Sequence, residues 1–278
     1  MNISELKKRA ESFRAMHTSG DVLVLANVWD VASARIVEDA GFPALATTSA
    51  GIAFAQGFPD GQQISPEAML EVVARIAAAV RLPVTADVEA GYGSTPEDAA
   101  RTARRVIEAG AVGMNFEDAT GDPAHPLFDL PLQLERIRAI RETVHKIGVP
   151  VVLNARTDVY LAQVGGAGTR YDESLRRLSA YRDAGADCVF VPGVRDTETM
   201  RRIVADLKCP VNILAVPGAP LISELAAMGV RRISLGSGPM RAAMGVLVRL
   251  VDELKTSGTY TQMEAAPSHA QMNELMRR

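Results

Sequence analysis

Short apolar runs alternate with longer amphipathic stretches along nearly the whole chain, and this alternation constrains the fold more than any other feature. Eight runs are predicted as strands: Val22–Ala26, Ala44–Thr48, Pro83–Val88, Val112–Glu117, Val149–Ala155, Asp187–Pro192, Pro210–Ala215 and Arg232–Gly236. Eight stretches between and after them are predicted as helices: Val31–Ala40, Pro66–Val80, Pro96–Ala109, Pro131–His145, Asp172–Ala184, Thr197–Leu207, Pro220–Met228 and Pro239–Leu254. Such alternation is typical of a parallel sheet that helices cover. Eight units favour a closed (β/α)8 TIM-type barrel over an open sheet, and 278 residues suit the roughly 250 that such a barrel needs.

Proline and glycine mark the ends of several predicted helices. A proline follows Ser65, Thr95 and Leu130, at or near the first helical position, where its missing N–H is not needed. At four other boundaries a glycine stands where a left-handed helix cap belongs: Gly41, Gly110, Gly185 and Gly229. These residues predict where the helices begin and end.

The chain is predicted to form one domain. We expect a barrel over residues 1–254 and a polar tail over 255–278, because no linker composition divides the sequence. The tail ends in a short helical pattern, Ser268–Met276, which could pack on a neighbouring subunit or fray.

The composition excludes several classes of protein. A net charge of −3 without a basic stripe argues against nucleic-acid binding. The longest uncharged stretch, Gly41–Pro59, is broken by proline and glycine and makes a poor membrane span, and the first residues lack the apolar region of a secretory signal. Cys188 and Cys209 lie in apolar runs and are predicted to be reduced core residues. We therefore expect a cytoplasmic protein without a membrane partner.

Four acidic residues follow or end three consecutive predicted strands. They are Asp60, Asp87, Glu89 and Glu117, and the two that are two residues apart on one strand point to the same face. Active sites of barrels form at the carboxyl ends of the strands, where four carboxylates would repel one another unless a cation compensates them. Oxygen donors without His or Cys favour Mg²⁺, with Mn²⁺ as the alternative, over Zn²⁺. The simpler interpretation is a set of solvated loop charges.

Arg156 ends the fifth predicted strand after five uncharged residues. It could form a structural ion pair with the acids, or it could bind a substrate carboxylate or an enolate oxygen. Asp158 is interpreted as structural. All five lysines lie outside the carboxyl ends of the strands, which disfavours a Schiff-base aldolase. The turn at 236–239 is interpreted either as a phosphate site or as a tight strand-to-helix connection.

Four motifs, in this order and on these strands, resemble the isocitrate lyase / phosphoenolpyruvate mutase superfamily over about residues 27–243. They are GFPD ending at Asp60, TADVEAGYG at 85–93, NFED at 115–118 and NARTD at 154–158. The resemblance implies a modified (β/α)8 barrel whose last helices are exchanged between the subunits of a homodimer or homotetramer. It also implies small 2-oxo acid substrates, or compounds that yield them.

The resemblance also implies roles for individual residues. Asp87 matches the direct Mg²⁺ ligand, and the other three acids match residues that hold the waters of the ion. Arg156 matches the residue that contacts the substrate or its enolate. The substrate-binding residues implied by the resemblance are Thr48, Ser49, Ala50, Asp87 and Arg156.

The sequence departs from the lyase branch after the fourth strand. The stretch 119–128 contains neither the Cys that serves as acid and base in that branch nor its Lys, so the chain resembles a phosphonomutase-like member of the superfamily that lacks the lyase Cys motif. His125 in this stretch, or Tyr92, could act as a base, and the alternative for His125 is an exposed loop residue. Arg156, Glu117 and His125 are predicted to be catalytic.

The predicted function is a Mg²⁺-dependent carbon–carbon lyase or decarboxylase that acts on a small 2-oxo or 2-hydroxy di- or tricarboxylic acid through an enolate. One alternative is a C–P mutase or phosphonopyruvate hydrolase, for which the turn at 236–239 is the best support. The other is a 2-oxo acid binding protein without catalytic activity, suggested by the missing Cys and by substitutions at the ends of strands six and seven.

Overall fold

A closed barrel of eight parallel strands forms the centre of the molecule, in a computed structural model that describes residues 2–277. Each strand pairs with the next along the chain, and the last pairs with the first. The strands are β1 (Leu23–Val28), β2 (Leu45–Thr47), β3 (Val84–Asp87), β4 (Gly113–Glu117), β5 (Val152–Arg156), β6 (Cys188–Phe190), β7 (Val211–Leu214) and β8 (Arg232–Ser234). The prediction of a closed (β/α)8 barrel is confirmed. The predicted fifth strand started three residues too early, because Pro150 has no N–H to donate to the ladder.

Helices follow the strands and cover the barrel. They are α1 (Ile3–Ala15), α2 (Val31–Asp39), α3 (Ser49–Ala55), α4 (Pro66–Ala79), α5 (Pro96–Glu108), α6 (Leu130–Ile147), α7 (Arg170–Asp183), α8 (Thr197–Leu207), α9 (Ile222–Ala227), α10 (Gly238–Thr256) and α11 (His269–Arg277), with a 3₁₀ turn at Thr261–Met263. The prediction gave neither α1 nor α3. The first five residues of α3 are all buried, so this helix shows no polar face in the sequence.

The predicted glycine caps are confirmed. Gly41, Gly110, Gly185 and Gly229 have φ values of 78°, 88°, 111° and 90°, which lie in the left-handed region. The helix starts before proline are also confirmed, because α4, α5 and α6 begin at or next to these prolines. The side chains of Ser65 and Thr95 accept hydrogen bonds from the backbone N–H three residues later.

Helix α1 closes the amino end of the barrel. Its buried Phe13 packs against Gly113 at the start of β4, so closely that a Cβ on this glycine would lie 2.7 Å from the Phe13 ring. Arg14 pairs with Asp187 just before β6. His17, two residues after α1, contacts Arg232 at the start of β8. The opposite end of the barrel, where the strands finish, is left for the loops that carry the predicted site.

The last helices are only partly buried. Met240 is the one buried residue of α10, whereas a row of apolar side chains on the same helix is exposed: Met244, Val246, Leu247, Val248, Val251 and Leu254. Helix α11 contacts α2 of its own chain. The exchange of helices between subunits therefore stays a prediction, as do the boundaries 1–254 and 255–278.

Two further observations concern the predicted environment. Cys188 and Cys209 are free thiols; Cys188 is buried in the core as predicted, whereas Cys209 is only half-buried. Among residues 2–277, no helix is both long enough and apolar enough to cross a membrane.

Candidate active site

The ends of three neighbouring strands bring the predicted charged residues to one rim of the barrel. Asp87 ends β3, Glu117 ends β4 and Arg156 ends β5. Glu117 and Arg156 are direct neighbours in the β4–β5 register. Parallel strands place all three at the carboxyl end, as the sequence indicated.

Arg156 lies between two carboxylates. Its Nη1 is 2.7 Å from Oε2 of Glu117, and its Nε and Nη2 donate to the two oxygens of Asp158 at 2.5 and 2.8 Å. Burial alone would lower the pKa of Arg156, but the Glu117 and Asp158 carboxylates outweigh it and raise the pKa. Asp158, interpreted from the sequence as structural, is therefore a direct partner of the predicted catalytic arginine. Its bidentate contact fixes the plane of the guanidinium.

Asp87 is held by both of its oxygens. Oδ2 accepts from the backbone N–H and the hydroxyl of Ser49, at 3.0 and 2.8 Å, and Oδ1 accepts from the Asn115 amide at 3.3 Å. The Asp87 N–H donates to the hydroxyl of Thr47 at 2.9 Å. The carboxylate is thus buried in a fixed orientation.

The predicted substrate-binding residues Thr48, Ser49 and Ala50 form the start of α3 and lie beside Asp87. Thr48 is the N-cap of this helix, and its hydroxyl accepts from the N–H of Gly51. The Ser49 N–H and hydroxyl are both engaged by Asp87. A substrate carboxylate that binds Ser49 would share or replace these contacts. No pattern in the sequence indicated the pairing of Ser49 with Asp87.

Glu89 joins the site through a tightly bonded pair of loops. Its Oε2 accepts from the backbone N–H of Gln62 at 2.6 Å, and the side-chain oxygen of Gln62 accepts from the N–H of Tyr92, also at 2.6 Å. The Tyr92 hydroxyl is 3.5 Å from Oε1 of Glu89. Gln62, Glu89 and Tyr92 all have left-handed backbones, with φ of 59°, 50° and 56°. Non-glycine residues in this region store strain, which is common where side chains are held for function.

The four predicted carboxylates interact through their charges. Burial, together with the charges of Asp87 and Asp60, raises the pKa of Glu89 to about 7. Burial and Asp87 raise the pKa of Asp60. Burial also raises the pKa of Glu117 well above its ordinary value, although Arg156 opposes the shift. The set is an acidic cluster whose members repel one another.

This donor set fits a divalent cation that binds mainly through water. A cation would offset the repulsion that the raised pKa values report, and carboxylate oxygens suit Mg²⁺. Within residues 2–277, no three His, Cys, Asp or Glu side chains are arranged to hold a metal together. Mg²⁺ commonly takes only one or two carboxylates and completes its shell with water and substrate. The predicted arrangement, with Asp87 as the direct ligand, is compatible with this geometry.

His125 lies outside the acidic cluster. Its ring is 84% exposed and is 3.2 Å from the Asp122 carboxylate, in the loop between β4 and α6. The structure therefore does not bring His125 to Arg156 or Glu117, and its predicted catalytic role would require a movement of this loop. In the turn before α10, the N–H of Gly236 donates to the side-chain oxygen of Asn27 at 3.0 Å, and Ser237 caps the helix without a side-chain hydrogen bond.

Comparisons with known proteins agree with this geometry. The model of the phosphoenolpyruvate phosphomutase family matches residues 13–255. A solved structure titled as a putative lyase/mutase from Burkholderia cenocepacia J2315 superposes with a TM-score of 0.93 at 39% identity, covering 99% of this chain and 98% of that one. The oxaloacetate decarboxylase of Rhodopseudomonas palustris (strain BisB5) is 29% identical, covering 98% of this chain and 93% of its own length. The structure of 2,3-dimethylmalate lyase matches with a TM-score of 0.84 at 30% identity, covering 96% and 94% of the two chains.

Proposed function

This chain belongs to the phosphoenolpyruvate phosphomutase family, within the phosphoenolpyruvate mutase / isocitrate lyase superfamily of lyases and mutases, and from this premise we propose that it is a Mg²⁺-dependent decarboxylase of oxaloacetate or a closely similar 2-oxo diacid. The observation that carries the proposal is the Arg156 guanidinium, fixed by Glu117 and Asp158 beside the acidic cluster. The similarity to an oxaloacetate decarboxylase supports the choice of substrate.

Arg156 keeps donors for a substrate. A guanidinium carries five N–H groups, and Nε, Nη1 and Nη2 each use one on a carboxylate. Two N–H groups remain, one on each terminal nitrogen. Because the guanidinium cannot rotate away from Asp158, these donors point in fixed directions, as stabilisation of a developing oxyanion requires.

Decarboxylation fits a site without a histidine or cysteine base in the cluster. The bond between C3 and the departing carboxylate breaks, CO₂ leaves, and the electron pair moves to the 2-oxo oxygen to form an enolate. A proton from solvent at C3 then gives pyruvate. Arg156 would stabilise the negative charge on the enolate oxygen. Asp87 would hold Mg²⁺ directly, with Asp60, Glu89 and Glu117 on its waters, and the ion would supply Lewis-acid stabilisation of the same oxygen.

A retro-aldol cleavage of a 2-hydroxy diacid is the second candidate. The similarity to 2,3-dimethylmalate lyase favours it. The Tyr92 hydroxyl donates to Glu89 at 3.5 Å, and burial and Glu89 raise its pKa, so this residue is not poised to take the proton of a substrate alcohol. This reaction needs a base, whereas decarboxylation does not, so we rank it second.

Pyruvate release tests the proposal. Oxaloacetate, 2,3-dimethylmalate, methylisocitrate and phosphonopyruvate are each assayed with and without Mg²⁺, and the rate without enzyme is subtracted. We expect turnover of oxaloacetate, and we expect Arg156→Lys to lower kcat/KM by about 10²- to 10³-fold, as for loss of an oxyanion donor. Arg201→Lys is the matched control, because Arg201 forms an exposed pair with Glu198 at 2.7 Å. Protein that binds Mg²⁺ but turns over no substrate would contradict the proposal.

We further propose that the enzyme assembles as a homodimer or homotetramer in the cytoplasm. The exposed apolar row on α10 is the observation that supports an exchange of this helix between subunits. Exposed apolar side chains also stand on the helices that flank β8 and β1, at Ile36 on α2 and Ile222 on α9. A helix from a second copy of this chain would cover the exposed apolar side chains on α10 and those on α2 and α9.

A further inference from the structure

Arg232 is a buried charge without an ion-pair partner. It begins β8, points into the barrel interior and is 0% exposed. No carboxylate among residues 2–277 lies within salt-bridge distance of it. Its contacts are the side-chain oxygen of Asn115 at 3.1 Å and Nε2 of His17 at 3.4 Å, and its Nε has no partner. An unpaired buried guanidinium is costly, so its place calls for a physical reason.

The reason lies in the amide of Asn115. The side-chain oxygen of this residue accepts two hydrogen bonds, from Arg232 at 3.1 Å and from the Asn154 amide at 2.8 Å. Two donors on the oxygen fix which end of the amide faces them, because an amide nitrogen in that place could accept neither bond. The amide nitrogen of Asn115 must then face the rim of the barrel.

At the rim, this nitrogen donates to Oδ1 of Asp87 at 3.3 Å. The other oxygen, Oδ2, accepts from Ser49. A reversed Asn115 amide would place its oxygen against the Asp87 carboxylate and would repel it. The orientation of the carboxylate therefore depends on the orientation of the amide, and the amide depends on its two donors, Arg232 and Asn154.

We propose that Arg232 is a positioning residue for Asp87: from inside the barrel it fixes the Asn115 amide. The role reaches Asp87 only through Asn115, since Arg232 does not touch the carboxylate. Its consequence for metal binding rests on the proposed function, in which Asp87 is the direct ligand. The positioning itself does not rest on it.

Crystal structures without metal test the positioning directly. In the wild-type protein we expect the Asn115 nitrogen to face Asp87, and in Arg232→Gln we expect the amide or the carboxylate to turn so that this hydrogen bond is lost. Arg232→Lys keeps a charged donor and should retain the bond, which provides a second variant should the glutamine protein not fold. An unchanged Asn115–Asp87 contact in Arg232→Gln would overturn the proposal.

Mn²⁺ binding, measured by calorimetry, tests the consequence. We expect Arg232→Gln to weaken Mn²⁺ binding by about tenfold or more, the size usual for residues that orient a metal ligand, and Arg232→Lys to weaken it less. In an Asn115→Ala background, Arg232→Gln should have no further effect on affinity. Additive losses would mean that Arg232 does not act through Asn115.

Arg141→Gln is the matched control. Arg141 is a half-buried arginine that donates to Asp187 and to the carbonyl of Val151 at the amino end of the barrel. Its loss should lower stability and leave Mn²⁺ affinity unchanged. Equal losses of Mn²⁺ affinity in both glutamine variants would indicate general loosening of the barrel and refute a specific role of Arg232. A wild-type protein that binds no Mn²⁺ would refute the proposed function, while the crystal structures would still decide the role of Arg232.

Discussion

His17 makes stability depend on pH in a way that one substitution can isolate. Its ring is 1% exposed, its Nδ1 lies 2.8 Å from the Phe13 carbonyl, and its Nε2 faces Arg232. Burial lowers the pKa of His17 to about 4, with Arg232 adding to the shift and Asp187 opposing it. Arg231 also faces this residue, through the His17 carbonyl. We predict that acidification destabilises the wild-type protein through this ring.

The magnitude follows from proton linkage. In the unfolded chain a histidine has a pKa of about 6.5, so it takes up a proton below that pH, whereas folded His17 does so only near pH 4. The unfolded state therefore binds more protons between these values. The contribution of neutral His17 to stability is fully present above pH 6.5 and is lost as the pH falls towards 4. Between pH 7 and pH 4.5 the loss amounts to about 2 kcal/mol.

Other groups shift stability in the opposite direction. Glu89 has a pKa raised to about 7, so the folded state binds more protons than the unfolded state between its ordinary pKa and 7. The stabilisation that comes from protonated Glu89 is lost as the pH rises through 7. A pH series on the wild-type protein alone would mix the two effects, and only the difference from a variant isolates His17.

His17→Gln is the variant of choice, because a glutamine can still donate to Phe13 and accept from Arg232 without titrating. Urea unfolding at fixed protein concentration, followed by circular dichroism, measures the free energy of unfolding from pH 7 to pH 4.5. We expect the wild-type protein to lose about 2 kcal/mol relative to His17→Gln over this range. His125→Gln, which changes an exposed ring, should remain parallel to the wild type. A difference between wild type and His17→Gln that is independent of pH would refute the reasoning.

Two further predictions concern the loops and the last helices. Gln62→Ala should lower the free energy of unfolding by about 1–2 kcal/mol, because it removes the hydrogen bond to Tyr92 and keeps a non-glycine residue in a left-handed backbone. Gln62→Gly should lower it by less, since glycine adopts this backbone freely. Equal losses in urea unfolding would count against backbone strain at this residue. Leu247→Glu on the exposed row of α10 should reduce the molar mass measured by light scattering to that of the monomer, and an unchanged mass would exclude this face as a subunit contact.

The barrel and the rim could be predicted from the sequence because both depend on short-range patterns. The alternation of apolar runs and helices sets the strand order, and parallel strands necessarily end at one rim. Once Asp87, Glu117 and Arg156 were placed at strand ends, their convergence followed without knowledge of any contact. The same reasoning had no means of finding α3, which is buried and so lacks a polar face.

Pairings between side chains could not be predicted. Asp158 follows Arg156 by two residues, and only the turn of the chain after β5 brings its carboxylate back onto the guanidinium. Gln62 has no sequence signal at all, because its role depends on a left-handed backbone that a glutamine rarely adopts. Helix α1 is a different case: Leu6, Ala10 and Phe13 recur at helical spacing, and this signal was present in the sequence.

The barrel interior joins residues that are distant in sequence into a single column. His17 contacts Arg232, Arg232 contacts Asn115, and Asn115 contacts Asp87, so hydrogen bonds run from the closed amino end to the acidic cluster. Arg232, Asn115 and Asp87 lie on three different strands and His17 follows α1, and each alone is an ordinary polar residue in an apolar neighbourhood. A buried polar network is stable only when its members are arranged together. The contacts of Asp87 at the rim therefore continue to side chains at the opposite end of the barrel, which no local pattern around the site motifs could reveal.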